Sequence, residues 1–193
     1  MANSERRFPR FPIPVKFHKK SVQLELDLQL PFEEEVAGKW AVTPGCIWLS
    51  IAKAKDSAGR SMDWENKLTF KMGSVDIRKI LDGLPNLDRH TAQWVTKKRE
   101  SEAAGQQFSA KRPLIDLLHD PSKPKRASTG GKIPKVSTLQ VECGEKWGTY
   151  RWTLTVGKGQ ERDYRSVFLS RDEMVHIKVL LEAALARIPA WAA

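Results

Sequence analysis

The stretch "CIWLSIAKAK", Cys46 to Lys55, sets Trp48 between Ile47, Leu49 and Ile51. Successive side chains of an extended strand point to opposite faces, so the aliphatic residues claim the inner face and the indole turns outward. An outward indole is a stacking platform for a nucleobase, and ammonium or guanidinium groups around it neutralise phosphates. The sequence supplies such groups beside and on its strands. Lys19 and Lys20 precede the first alternating run, and Lys39 stands next to Trp40. Lys53 and Lys55 have the parity of Ile47 and Ile51 and clear the core only where the strand ends. Lys67 and Lys71 share a parity, Arg151 neighbours Trp152, and Tyr164 sits between Asp163 and Arg165. A single surface lysine is ordinarily just solvated, so the reading rests on the set. Trp64, Trp152 and Trp191 read as core packing.

Other chemistry finds little support. His18, His90, His119 and His176 are scattered without ligand spacing, and His119-Asp120 before Pro121 reads as a turn. No Walker loop, dinucleotide fingerprint or nucleophile elbow occurs. "STGGK", Ser128 to Lys132, lacks the strand–loop–helix setting of a phosphate cradle and reads as linker. Cys46 and Cys143 are too few for a disulfide scaffold and form no CxxC, which points to a reducing, intracellular compartment, cytoplasm or nucleoid, with an organelle left open. No catalytic residue, metal site or cofactor is expected, and the protein is not expected to be an enzyme. The formal charge of +10 over 193 residues favours a polyanionic partner. No apolar run approaches the roughly 18 residues of a membrane span.

These residues need strands to carry them. "SVQLELDLQL", Ser21 to Leu30, alternates strictly and is ended by Pro31 and "FEEE". "KWAVTPGCIWLSIAKAK" reads as two strands about a Pro44-Gly45 turn, and "MDWENKLTFKM" as a fourth strand. A helix capped by Ser74 follows, with Ile77, Ile80, Leu81 and Leu84 on one stripe and Pro85 closing it. The middle holds a charged helical stretch around Trp94, a short helical turn in "PLIDLLHDP", and a basic Gly/Pro/Ser-rich loop. Three more strands follow, in "VSTLQVEC", "TYRWTLTVGK" and "DYRSVFLS". Ser170 and Glu173 then open a second helix with a capping box, and its wide stripe includes Met174, Ile177, Leu181 and Leu185. Periodicity alone leaves two uses for that stripe: covering its own sheet, or pairing with another subunit. The chain thus repeats a strands-then-helix unit, an α+β design of two antiparallel four-stranded or near four-stranded sheets, each followed by a helix. The expected organisation is a flexible basic arm at 1–14 and one domain at 15–192. Within it the first half spans about 15–85, an insert and linker about 86–135, and the second half about 136–191.

Three stretches, in this order, resemble the Whirly single-stranded DNA-binding proteins of plant organelles, and more loosely the mitochondrial guide-RNA-binding proteins of the same fold. They are "MDWENKLTFKMGSVDIRKIL", "LLHDPSK" and "SVFLSRDEMVHIKVLLEAALARIPAW". The resemblance runs from about Val15 to Trp191. It departs where the family's Lys-Gly-Lys-Ala-Ala-Leu signature is replaced by "FHKKSVQL", and where the insert, Asn86 to Arg112, is longer. The resemblance implies a homotetramer joined through helices, with Met174, Ile177, Leu181 and Leu185 between subunits. It also implies non-sequence-specific binding of single-stranded DNA in replication, recombination or repair. An RNA-binding or annealing protein is the alternative, as is a structural subunit of a nucleoprotein complex that docks a protein partner through the 86–112 insert.

Overall fold

A computed structural model of the chain describes residues 14–36, 38–119, 136–144, 148–158 and 161–188. The N-terminal arm, the Gly/Pro/Ser-rich loop, Pro189 and Trp191 fall outside these residues. Four strands form the first sheet: β1 (Val15–His18), β2 (Val22–Gln29), β5 (Cys46–Lys53) and β6 (Leu68–Met72), in the order β1-β2-β5-β6. Between β2 and β5 the chain leaves the sheet as a separate two-stranded ribbon, β3 (Phe32–Val36) and β4 (Lys39–Thr43). Helix α1 (Ser74–Ala103) follows. The second sheet has the order β10-β9-β8-β7, from β7 (Ile115–His119), β8 (Ser137–Cys143), β9 (Thr149–Lys158) and β10 (Glu161–Ser170). Helix α2 (Arg171–Arg187) ends the described chain. Every strand pair is antiparallel. The molecule is therefore α+β with two four-stranded sheets and two helices, as its alternating runs predict. No described helix is long and apolar enough to cross a membrane.

Local details differ from the sequence reading for identifiable reasons. "FEEEV" does not merely stop β2; it pairs with "KWAVT", in the register Glu33–Val42 and Glu35–Trp40. Gly38 supplies the left-handed turn residue, at φ 77°. The vacated edge of the first sheet is taken by β1, and β6 begins only at Leu68, leaving Trp64 in the preceding loop. Pro85 does not close α1. The buried stripe Ile77, Ile80, Leu87 and Thr91 passes straight through it. Pro85 lies exposed on the far side, where its ring clears the sheets and packing outweighs the missing hydrogen bond. The charged stretch around Trp94 is thus the second half of α1. Gly73, not Ser74, is the N-cap, and its N–H donates to Asp76 Oδ2 at 3.0 Å. "IDLLH" is not helical: it pairs with β8 as the edge of the second sheet. Gly83 lets α1 approach β7 closely, since a Cβ there would come within 2.8 Å of Ile115.

Both inner faces feed one apolar core. It joins Leu24, Leu26, Ile47, Leu49, Ile51 and Phe70 of the first sheet to Leu139, Trp152, Leu154 and Val167 of the second, and takes in Ile77 and Ile80 of α1. Helix α2 closes it with Met174, Ile177, Leu181 and Ala184, all buried, and Leu185 packs half-buried against the same core. Trp152 Nε1 lies 3.2 Å from Met174 Sδ. Of the expected subunit interface, Met174, Ile177 and Leu181 are thus buried within their own chain, and Leu185 alone keeps part of its surface open. The large exposed apolar residues of α2 are Val175 and Val179, on the opposite side.

The start of α2 is fixed by charge as well. Ser170 and Glu173 form the predicted capping box, with Glu173 N–H donating to Ser170 Oγ at 3.3 Å and Ser170 N–H to Glu173 Oε2 at 2.8 Å. Lys19 Nζ reaches both Glu173 oxygens at 2.6 Å, tying the β1–β2 turn to the helix. Burial acts to raise the Glu173 pKa, but hydrogen bonds from Lys19 and Ser170, with the lysine's charge, outweigh it and leave the carboxyl below its ordinary 4.5. A depressed folded-state pKa contributes stability that is present above the ordinary value and lost as pH falls through the folded one.

Two outcomes follow. Leu181→Ala is expected to lower the unfolding free energy by about 2–5 kcal/mol, measured by denaturant titration, because it opens a cavity in the core. A surface-sized effect would return Leu181 to the subunit interface. Glu173→Gln is expected to lower the melting temperature at neutral pH. The gap to wild type should close as pH drops below 4.5, where wild type loses the same charge. A gap constant across that range would show that the ion pair carries none of the difference.

Candidate nucleic-acid interface

Alternation in β5 decides what the first sheet shows to solvent. Ile47, Leu49 and Ile51 are fully buried, and Trp48 between them lies half-buried on the outer face. In register across the sheet it is flanked by Asp27 of β2 and Lys71 of β6. Trp48 Nε1 donates to Gln29 Oε1 at 2.8 Å, which fixes the ring, and Lys71 Nζ lies 5.6 Å from its centroid. A second indole joins this side. Trp64, read from sequence as core, is half-buried in the loop before β6, with Lys16 and Lys67 each holding Nζ 5.7 Å from its ring. Lys16 is on the outer parity of β1 and pairs with Glu25 at 3.1 Å. Between the indoles the outer parity is covered: Ser50, 3% exposed, has its hydroxyl 3.4 Å from that of Thr69.

The result is two indoles with lysines against their rings, a composition suited to stacking bases and pairing phosphates. The acids define its direction. Glu25 and Asp27 line β2, so a phosphate chain is disfavoured there and favoured along Lys67 and Lys71. Those two stand four residues apart, about 13 Å in an extended strand. Both are exposed, as are Lys53, Lys55 and Lys20 at the end of the sheet away from the ribbon. Of Lys39 only the backbone is described. Lys19 is engaged by Glu173 and is a structural tie.

The second sheet offers a separate face. Tyr164 and Phe168 of β10 are 65% and 59% exposed, while Arg165, Val167 and Leu169 alternate inward. Phe168, missed at first, was readable from its place between Val167 and Leu169. Arg151 lies opposite Phe168 in register, and its Nε donates to Glu142 Oε2 at 3.0 Å, which offsets much of its charge. Arg165 must be withdrawn from the binding set. It is 6% exposed between the sheets, donating to the Ile51 carbonyl at 3.2 Å and to Asp163 Oδ2 at 3.2 Å. Since the two sheets turn their inner faces to a shared core, Trp48 and Tyr164 belong to outer faces that look away from each other.

Elsewhere the polar clusters act as ties. His119 stacks on Phe70 with centroids 4.1 Å apart, and its Nε2 lies 3.1 Å from Asp76 Oδ2, pinning β7 to the start of α1. Asp88 Oδ1 accepts from Tyr150 Oη at 2.8 Å and from Cys143 Sγ at 3.1 Å, beside a cleft of about 370 Å³. Burial, then the Asp88 hydrogen bond, push the Cys143 thiol up to about 12, so it is held as a thiol rather than a nucleophile. Among the described residues no group of three His, Cys, Asp or Glu is placed to hold a metal ion.

No protein-family model matches the sequence, and no curated protein matches it. Solved structures do resemble the fold. WHY1 from Arabidopsis thaliana superposes with a TM-score of 0.62 at 16% identity, covering 95% of this chain and 88% of that one. WHY3 from the same plant gives 0.62 at 18% identity, covering 95% and 92%. The plant transcriptional regulator PBF-2 gives 0.63 at 16% identity, covering 95% and 85%. At such identities the likeness establishes architecture, and the architecture is that of the Whirly proteins: this chain has the Whirly fold.

Proposed function

We propose that this protein is a non-enzymatic binder of single-stranded nucleic acid, DNA first, that coats strands exposed in replication, recombination or repair. The observation that carries the reading is the outer face of the first sheet, where Trp48 and Trp64 each stand against lysines. Bases stack on the indoles and phosphates run past Lys67 and Lys71, with Lys53, Lys55 and Lys20 extending the track. Tyr164, Phe168 and Arg151 form a second contact surface that a long strand reaches only by passing round an edge. The single apolar core supports treating residues 15–192 as one domain. Two buried free cysteines fit a reducing compartment. A homotetramer joined through helices would use Val175 and Val179, the exposed side of α2.

The docking role of the 86–112 insert loses part of its motive. Trp94 Nε1 donates to the Ala110 carbonyl at 2.9 Å, Phe108 packs edge-on at 5.4 Å, and Lys98 and Arg112 each sit 5.5 Å from the indole. The segment closes on itself around that ring.

Competition between matched single-stranded DNA, duplex DNA and RNA over a salt series tests the reading. Single strands should win over duplex, with a log–log salt slope of about −0.7 for each phosphate neutralised. Equal affinity for duplex would overturn it, and preference for RNA would move it to the alternative. Trp48→Ala and Trp64→Ala are each expected to weaken single-strand binding by about 1–3 kcal/mol, the usual scale for base–aromatic stacking, with little change in melting temperature. Unchanged affinity at unchanged stability would remove the indoles from the site.

A further inference from the structure

The β3–β4 ribbon forms a sheet of its own, and among its described side chains none belongs to the apolar core. A two-stranded ribbon alone in water is marginal. Yet one face of it carries Trp40 and Val42, 75% and 51% exposed, opposite Glu35 and Glu33 in register, both exposed. An indole so placed invites a reading as one more base platform. The charge argues otherwise: "FEEEV" sets three carboxylates within one short strand, and they repel a phosphate chain. A surface that is apolar at its centre and acidic at its rim fits a basic protein surface instead.

The chain itself provides that surface. β2 and β5 run antiparallel, so the ribbon springs from one end of the first sheet, at Gln29 and Cys46, and the opposite end lies at Val22 and Lys53. There Lys20, Lys53, Lys55 and Arg60 are all exposed, four cations against the carboxylates of Asp56, Glu65 and Asp63, the last of which interacts with Lys55. The sheet is therefore polarised, acidic and aromatic at one end and basic at the other. A ribbon cannot reach the basic end of its own sheet, since the eight residues of β5 alone span about 25 Å. A two-fold symmetric contact between ribbons would oppose carboxylates to carboxylates, whereas a head-to-tail contact opposes them to lysines. We propose that the ribbon docks on the Lys53–Lys55 end of a second copy, with Trp40 beneath those ammonium groups and Glu33 and Glu35 paired to them. This contact is independent of the buried α2 stripe, but it takes Lys53 and Lys55 from the end of the proposed phosphate track, so a bound strand and a docked ribbon compete there.

The test uses the full chain, mixed as isotope-labelled and unlabelled protein and treated with a zero-length carboxyl–amine crosslinker. Mixed-isotope crosslinks joining Glu33 or Glu35 to Lys53 or Lys55 are expected, weaker in high salt and lost in Trp40→Ala. Two charge-reversal variants, Glu33→Lys with Glu35→Lys and Lys53→Glu with Lys55→Glu, should each give no crosslink between these positions alone and should give them again, with carboxyl and amine exchanged, when mixed. Circular dichroism verifies that each is folded. Absence of the crosslinks in wild type, or in the mixture of the two reversals, overturns the proposal. Trp40→Ala that keeps the crosslinks but loses affinity for an oligothymidylate would make Trp40 a base platform and overturn it equally. Loss of oligothymidylate binding in Trp48→Ala with the crosslinks intact would leave the docking contact standing.

Discussion

Two four-stranded sheets sharing one core fix the phase of every strand. Side chains alternate along a strand, so once Ile47, Leu49 and Ile51 are committed inward, Trp48 has only the outer face. The same rule turns Val167 and Leu169 in and Tyr164 and Phe168 out. It also carries Arg165 inward, where a guanidinium is costly to bury. That cost is offset by two hydrogen bonds, to the Ile51 carbonyl of the facing sheet and to Asp163, while Arg165 Nε has no hydrogen-bond partner among the described residues. The arginine thus links the sheets whose separation sets where both outer faces lie.

On the first outer face the energies allow exchange. A lysine over an indole is worth about 0.5–1 kcal/mol at exposed sites and about 2 when desolvated, against roughly 1–3 kcal/mol for a stacked base. In the proposed complex a base would displace Lys71 or Lys67 from its ring, and the released ammonium would pair with a phosphate. In the same proposal Glu25 and Asp27 would disfavour a phosphate chain over β2. The helices contribute rigidity: Lys19 to Glu173, His119 to Asp76, and Tyr150 and Cys143 to Asp88 each join elements distant in sequence.

The strands were legible where alternation was strict, and so was the outward turn of Trp48. Arg165 was legible too, by its parity with Val167 and Leu169, although its charge drew it into the binding set. What could not be read depends on distance along the chain. Lys19 looked like any surface lysine because Glu173, its partner, is 154 residues away. "IDLLH" is too short for periodicity to separate strand from helix, and only its pairing with β8 makes it a strand. Pro85 carries a strong local stop signal, overridden because the apolar spacing from Ile80 to Leu87 continues through it on the other side of the helix. The α2 stripe was ambiguous for a deeper reason: an apolar face has the same sequence signature whether it meets its own sheet or a neighbour.

The central claim is that a single strand lies on the outer face of the first sheet. Photocrosslinking of a bromouracil-bearing single-stranded DNA, followed by mass mapping of the joined peptides, addresses it directly. Crosslinks to the peptides that carry Trp48 and Trp64 are the predicted result. Crosslinks confined to β10 around Tyr164 and Phe168, or to the helices, would contradict the account.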